Sequence, residues 1–202
     1  MFLLNYSTII DPLLKDVRLY VPKFAGMKAG DRVLDICCGT GDQVFHYVEK
    51  GIVATGVDIN PKMLEVAIRN KKRQGLEDVS FQLADATSLP FNNSYFDYAS
   101  ICFGLHDKER EIRDKVISEM KRVVKREGTL IFIDFQVPLP NSPYGYLAKI
   151  IEFLVGGAYY KGFRDYINRG GLDKIIRNHQ LIEENRDYLK SRLVVIIRAR
   201  NT

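Results

Sequence analysis

The segment RVLDICCGTGD, residues 32–42, sets Gly39 and Gly41 between an apolar run and a stretch of helical periodicity. Glycine adopts positive φ without steric cost and, lacking a Cβ, lets a ligand rest against the main chain. Asp58 closes the next apolar run, 19 residues after Gly39. A carboxylate at that distance is placed to accept hydrogen bonds from both hydroxyls of a ribose. Dinucleotide sites use GxGxxG to seat a pyrophosphate on a helix N-terminus. Here Val44 stands where the third glycine would be, and Asp42 puts negative charge where the pyrophosphate would lie. The pattern therefore counts against NAD and FAD, and the absence of GxxxxGK[ST] removes a phosphate-cradling loop. It suits a nucleoside without phosphate, and Asp35 and Asp42 tolerate positive charge on that ligand. His106, after a later apolar run, is the candidate general base, with an unperturbed pKa of about 6.5. The three cysteines, Cys37, Cys38 and Cys102, have no metal-ligand spacing with histidine or each other.

These residues need elements to position them. Short apolar runs at RVLDIC, VATGVDI, VSFQLA, FDYASICF and TLIFIDF alternate with helical patterns. Asp42 is expected to cap a helix ending near Lys50, and Asn60–Pro61 to start another as N-cap and N1. Ile112, Val116, Met120 and Val123 recur at helical spacing, predicting a helix from about Lys108 to Arg126. A proline-rich loop then leads to an aromatic helical insert, a Gly170–Gly171 bend, a short helix and a terminal strand pair. The alternation predicts a Rossmann-like, doubly wound α/β fold. Its sheet is expected to be mostly parallel and seven-stranded, with an antiparallel C-terminal pair. In such sheets ligands bind beyond the carboxyl ends of the strands, at the point where strand order reverses.

The blocks VLDICCGTGD, GVDIN, LADATSLPF, FDYASICFGL and MKRVVKREGTLIFIDF occur in order and at suitable spacing. Over residues 28–136 the chain resembles the class I S-adenosylmethionine (SAM)-dependent methyltransferases, and most closely the family that C-methylates ubiquinone and menaquinone precursors. The resemblance implies that Asp35 lies near the sulfonium end of SAM. Cys37, Gly39, Thr40 and Gly41 would pass the methionine portion. It implies further that Asp58 holds the ribose, Ile59 packs on the adenine, Asp85 accepts from the adenine amino group, and Ala86 N–H meets a ring nitrogen. The main chain at Cys102 would face the ammonium group. Two departures stand out. Cys37 replaces the first glycine of the class pattern, and FGLHD, with His106 and Asp107, replaces the family's Phe-Gly-Leu-Arg-Asn.

The resemblance also divides the single domain into an N-terminal helical cap (1–27), a cofactor core (28–136), a substrate-cover insert (137–170) and a C-terminal helix and strand pair (171–202). Acceptor-side candidates are Phe103 and His106 after the fourth strand, with Tyr159, Tyr160 and Arg164 in the insert. Aromatic walls suit a planar or isoprenoid-bearing acceptor. Tyr6 is expected to close over the cofactor from the other side. The reading is methyl transfer to a small molecule. RNA or another small molecule as acceptor, or SAM binding without transfer, are the alternatives.

The 202 residues suit one domain, and the formal net charge of +5 permits an anionic partner without requiring one. The Asn/Asp-Pro-Pro-Tyr signature of nucleobase amine methylation is absent, as is a basic arm, which counts against nucleic acid. Without a secretory signal pattern or a spanning segment, the expected place is the cytoplasm, with peripheral membrane contact left open. The expected state is a monomer or homodimer.

Overall fold

The structure is a computed structural model that describes residues 6–76 and 79–202, with the side chains of residues 6–11 and 13 outside the description. Five parallel strands form its centre: β1 (Arg32–Ile36), β2 (Val53–Asp58), β3 (Val79–Leu83), β4 (Phe96–Cys102) and β5 (Val124–Phe135). Two more, β6 (Ile182–Leu189) and β7 (Val194–Arg200), complete a sheet of order β3-β2-β1-β4-β5-β7-β6. β7 runs antiparallel to β5 and to β6, as the short connection between the last two requires.

Alternation along the strands builds the two-layered core. Leu34 and Ile36 of β1 and Leu130 and Phe132 of β5 face a cluster with Val116 and Met120 of α4 (Arg110–Val123) and Ile175 of α7 (Gly171–Asn178). The intervening Val33, Ile131 and Ile133 face the other side, with Val17 and Val21 of α1 (Tyr6–Ala25) and Phe45 of α2 (Asp42–Val48). Burying each such side chain contributes about 1.5–3 kcal/mol. The outer strand β6 is largely exposed and carries Glu183, Glu184, Arg186 and Asp187, charges that discourage edge-to-edge pairing.

Helix α3 (Pro61–Gln74) begins as expected, with Asn60 accepting a hydrogen bond from Lys62 N at 3.1 Å and Pro61 following. Asp42 is not the cap of α2. Gly41 holds that position at φ 80°, and Asp42 is the first helical residue. Helix α4 stops at Val123 rather than Arg126, and the chain enters β5 directly. Val124 is buried and pairs with Phe96, and Asn201 Nδ2 donates to the carbonyls of Lys121, Val124 and Lys125 where the helix passes into the strand. After β5 the insert folds as α5 (Pro143–Val155) and α6 (Gly157–Asn168). They break at Gly156, whose φ 68° and ψ −167° only glycine adopts readily.

Candidate functional site

Because β1 to β5 are parallel, their carboxyl ends share one edge of the sheet. Strand order reverses there between β1 and β4. The turn after β1 runs through left-handed backbone at Cys37 (φ 58°), Gly39 (φ 55°) and Gly41 (φ 80°). Cys37 stands where the class pattern has glycine, and its φ shows what glycine would relieve. A non-glycine residue there costs about 1–2 kcal/mol. The two glycines differ in purpose. A Cβ on Gly39 would meet nothing within 4 Å, whereas one on Gly41 would lie 2.5 Å from Phe81 Cζ. Space is therefore open to a ligand at Gly39, while at Gly41 it is taken by the ring of Phe81. Thr40 between them is buried.

Asp58 ends β2 and ties the turn to its neighbour strand. Its Oδ2 accepts from Gly39 N and its Oδ1 from Asn60 N, both at 2.8 Å. An ionised carboxylate has about four acceptor positions, so two remain. Asp85, just after β3, is exposed, and its Oδ1 accepts from both Thr87 N and Thr87 Oγ1 at 2.8 Å. Those bonds hold its carboxyl below the usual range. Ile59 is 67% exposed, and Leu83, in register with Asp58, is 58% exposed, so two apolar side chains flank the carboxylates. Leu83 was not among the sequence candidates. Ala86 follows Asp85 and is half-buried.

Asp35 is buried within β1 and accepts from Ser100 Oγ of β4, its register partner, at 2.6 Å. Burial pushes its pKa up to about 7, and the Asp58 charge adds to this, while the Ser100 bond and the Arg18 charge oppose it. Arg18 reaches from α1 to Asp42 Oδ2 at 2.8 Å, and Gln43 Nε2 donates to Arg18 O at 3.2 Å. So the N-terminal helix is fastened to the start of α2. The side chain of Tyr6 lies outside the described residues. Cys102 ends β4 half-buried. Burial pushes the thiols of Cys37 and Cys102 up to about 12 and that of Cys38 further, so all three stay protonated at neutral pH.

On the other side of the reversal point, His106 is 7% exposed in a shell of Phe103, Phe135, Phe163 and Tyr166. Its Nδ1–H donates to Asp134 Oδ1 of β5 at 2.8 Å. Asp134 Oδ2 also accepts from the main-chain N–H groups of Leu105 and His106. Nε2 faces Glu152 Oε1 of α5 at 3.7 Å. Only Nδ1 is within hydrogen-bond distance of a carboxylate, and Nε2 is too far from Glu152 to be spent on it. Burial alone would lower its pKa, but the charge and hydrogen bond of Asp134, aided by Glu152 and Asp107, hold it above the ordinary value.

The insert turns Phe163 and Tyr166 toward the site and leaves Tyr159 and Arg164 exposed. Helix α6 packs so closely on residues 107–108 that a Cβ on Gly162 would lie 2.2 Å from Asp107 O. Tyr160 packs on Phe153 with ring centroids 5.4 Å apart. Behind Tyr166, a cavity of about 320 Å³ is lined by Arg110, Arg113 and Arg169, which already pair with Asp114 and Asp165. Among the described residues no group of histidine, cysteine, aspartate and glutamate is arranged to hold a metal ion.

The fold is that of the class I methyltransferases. Its backbone superposes on a SAM-dependent methyltransferase from Aquifex aeolicus with a TM-score of 0.69 at 17% identity, over 92% of this chain and 89% of that one. Residues 11–166 match the ubiE/COQ5 methyltransferase family, and the chain belongs to that family. It is 35% identical over 141 residues to the ubiquinone/menaquinone biosynthesis C-methyltransferase UbiE of Bdellovibrio bacteriovorus, covering 67% of this chain and 58% of that protein. It is 33% identical over 158 residues to the demethylmenaquinone methyltransferase of Staphylococcus aureus, covering 74% and 63%. The matched region thus spans about three-fifths of the length of these relatives.

Proposed function

We propose that this chain transfers a methyl group from SAM to a small-molecule acceptor of the quinone-precursor type. The observation that carries the reading is the open space before Gly39, whose N–H donates to Asp58, in a member of this family. The residues fit the cofactor. The two acceptor positions left on Asp58 suit the ribose hydroxyls, and Ile59 with Leu83 offers an apolar face to the adenine. Asp85 and the Ala86 N–H suit its edge. Asp35 and the main chain at Gly39, Thr40 and Cys102 take the amino-acid portion, where negative charge favours a cation. Gly41 contributes by shaping the turn over Phe81. When bound, SAM supplies an electrophilic methyl group on a sulfonium.

The chain's own task is then to hold and orient. Alignment of two reactants is worth roughly 7–11 kcal/mol in favourable cases. Phe103, Phe135 and Phe163 give the acceptor side an apolar wall near the strand ends. His106, held by Asp134 and facing Glu152, has a pKa raised above the ordinary histidine value, which favours its charged form. We assign it the orientation of an acceptor oxygen through Nε2–H, in preference to the base role its position first suggested. Turnover that falls as pH rises through the histidine pKa supports this assignment, and turnover that climbs restores the base.

Calorimetric titration with SAM, S-adenosylhomocysteine and NADH tests the cofactor. Binding of the first two and not the third is expected. Methyl-labelled SAM with demethylated quinone precursors tests the transfer, and the absence of labelled product from them would remove the acceptor class.

A further inference from the structure

The outer face of α5 is unusually apolar for a surface helix. Tyr146, Leu147, Ile150, Phe153 and Leu154 are all more than half exposed, Leu154 to 75%, and Tyr159 at the start of α6 is exposed as well. Contiguous apolar surface of this kind marks an interaction site. The inner face is made by Gly145, Ala148 and Glu152, which turn toward the body of the protein. At 13 residues α5 is about 20 Å long and cannot cross a bilayer, and no described helix is long and apolar enough to do so.

Charge indicates what covers the patch. The exposed cations of these two helices are Lys149, whose ammonium lies 5.7 Å from the Tyr146 ring centroid, and Arg164, with Lys161 paired to Glu109. Their acids point elsewhere. Glu152 faces His106, and Asp165 pairs with Arg113 and Arg169. The exposed face of α5 is therefore apolar, with Lys149 beside it and no acid of its own. An anionic bilayer surface meets the apolar side chains with acyl chains and the cations with headgroups.

We propose that α5 and the start of α6 dock on an anionic lipid bilayer, lying in its interface plane. The surface stands on its own geometry. Combined with the proposed function, it would set the inner face of α5, beside His106, at the point where a lipid-borne acceptor leaves the membrane.

The test is flotation of the full chain, without SAM or acceptor, with vesicles of phosphatidylcholine alone and of phosphatidylcholine with an equal part of phosphatidylglycerol. Binding to the mixed vesicles that weakens with salt is expected. The double substitution Phe153→Ser and Leu154→Ser should lower partitioning by about tenfold or more. Lys149→Glu should lower binding to mixed vesicles alone. All three positions are exposed, so circular dichroism should be unchanged. No partition into either vesicle would overturn the proposal. So would unaltered partition of the double variant, or a dimer in sedimentation that Leu154→Glu converts to monomer. SAM titration of the same variants is independent of these results, so a failure here and a failure of the methyltransferase reading are told apart.

Discussion

The ends of β1–β3 and the ends of β4–β5 hold their polar groups in different ways. On the first side the two strand-end carboxylates are fixed by main-chain N–H donors, while the buried Asp35 is held by Ser100 Oγ of β4. Asp58 is held by Gly39 and Asn60, and Asp85 by Thr87. On the second side the groups hold one another across distant segments. His106 is set by Asp134, 28 residues on, and faces Glu152 of the insert. One side is a backbone-built cradle, suited to a ligand that never changes. The other is a side-chain cluster that substitution can retune, and the exchange of Arg-Asn for His106–Asp107 falls there.

The largest effect expected separates two glycines of the cradle. Gly41→Ala should destabilise the protein by about 2–4 kcal/mol, since the methyl strikes Phe81 and the backbone stays left-handed. Gly39→Ala should cost only about 1 kcal/mol of strain while weakening SAM binding, because its methyl enters the open space. Thermal melts with SAM titration check both. Equal loss of stability would erase the distinction between packing and ligand space.

Asp35 links the cradle to pH. With a pKa of about 7 it takes up a proton below neutrality and loses its attraction for a cation. SAM affinity should fall as pH drops from 8 to 6, by up to about tenfold per unit below the pKa. Asp35→Asn should flatten that slope. Titration in buffers of different ionisation enthalpy should show proton release on binding near pH 7. A flat profile in the wild type would detach Asp35 from the cofactor.

The second side makes a smaller prediction with its own sign. The folded pKa of His106 is raised, so its contribution to stability is complete below the unfolded value of about 6.5 and is lost as pH rises through the folded one. His106→Gln should remove this dependence. Chemical denaturation between pH 6 and 9 measures it, and identical slopes in both proteins would mean that Asp134 and Glu152 do not hold a proton on the ring.

Much of this was legible in the sequence. Apolar runs and helical patterns placed all seven strands, and Gly39, Asp58 and Asp85 are readable as residues at strand ends, where such sheets bind ligands. The Asp35–Ser100 pair was discoverable as two polar residues within facing apolar strands. Asp134 shows the same signal within TLIFIDF, whereas Glu152, on a helix of the insert, carries none. On α6, Gly162 brings the helix close and turns Phe163 and Tyr166 toward His106, while Tyr159 and Arg164 are exposed. The early end of α4 depended on Asn201, at the other end of the chain.

The division into two sides is tested most directly by SAM titration of the wild type, Asp58→Ala and His106→Gln. Loss of bonds to a charged group worth roughly 1.5–3 kcal/mol should weaken SAM binding to Asp58→Ala by about ten- to a hundredfold. His106→Gln should stay within about twofold of the wild type. Unchanged affinity in Asp58→Ala, or an equal loss in both variants, would contradict the account.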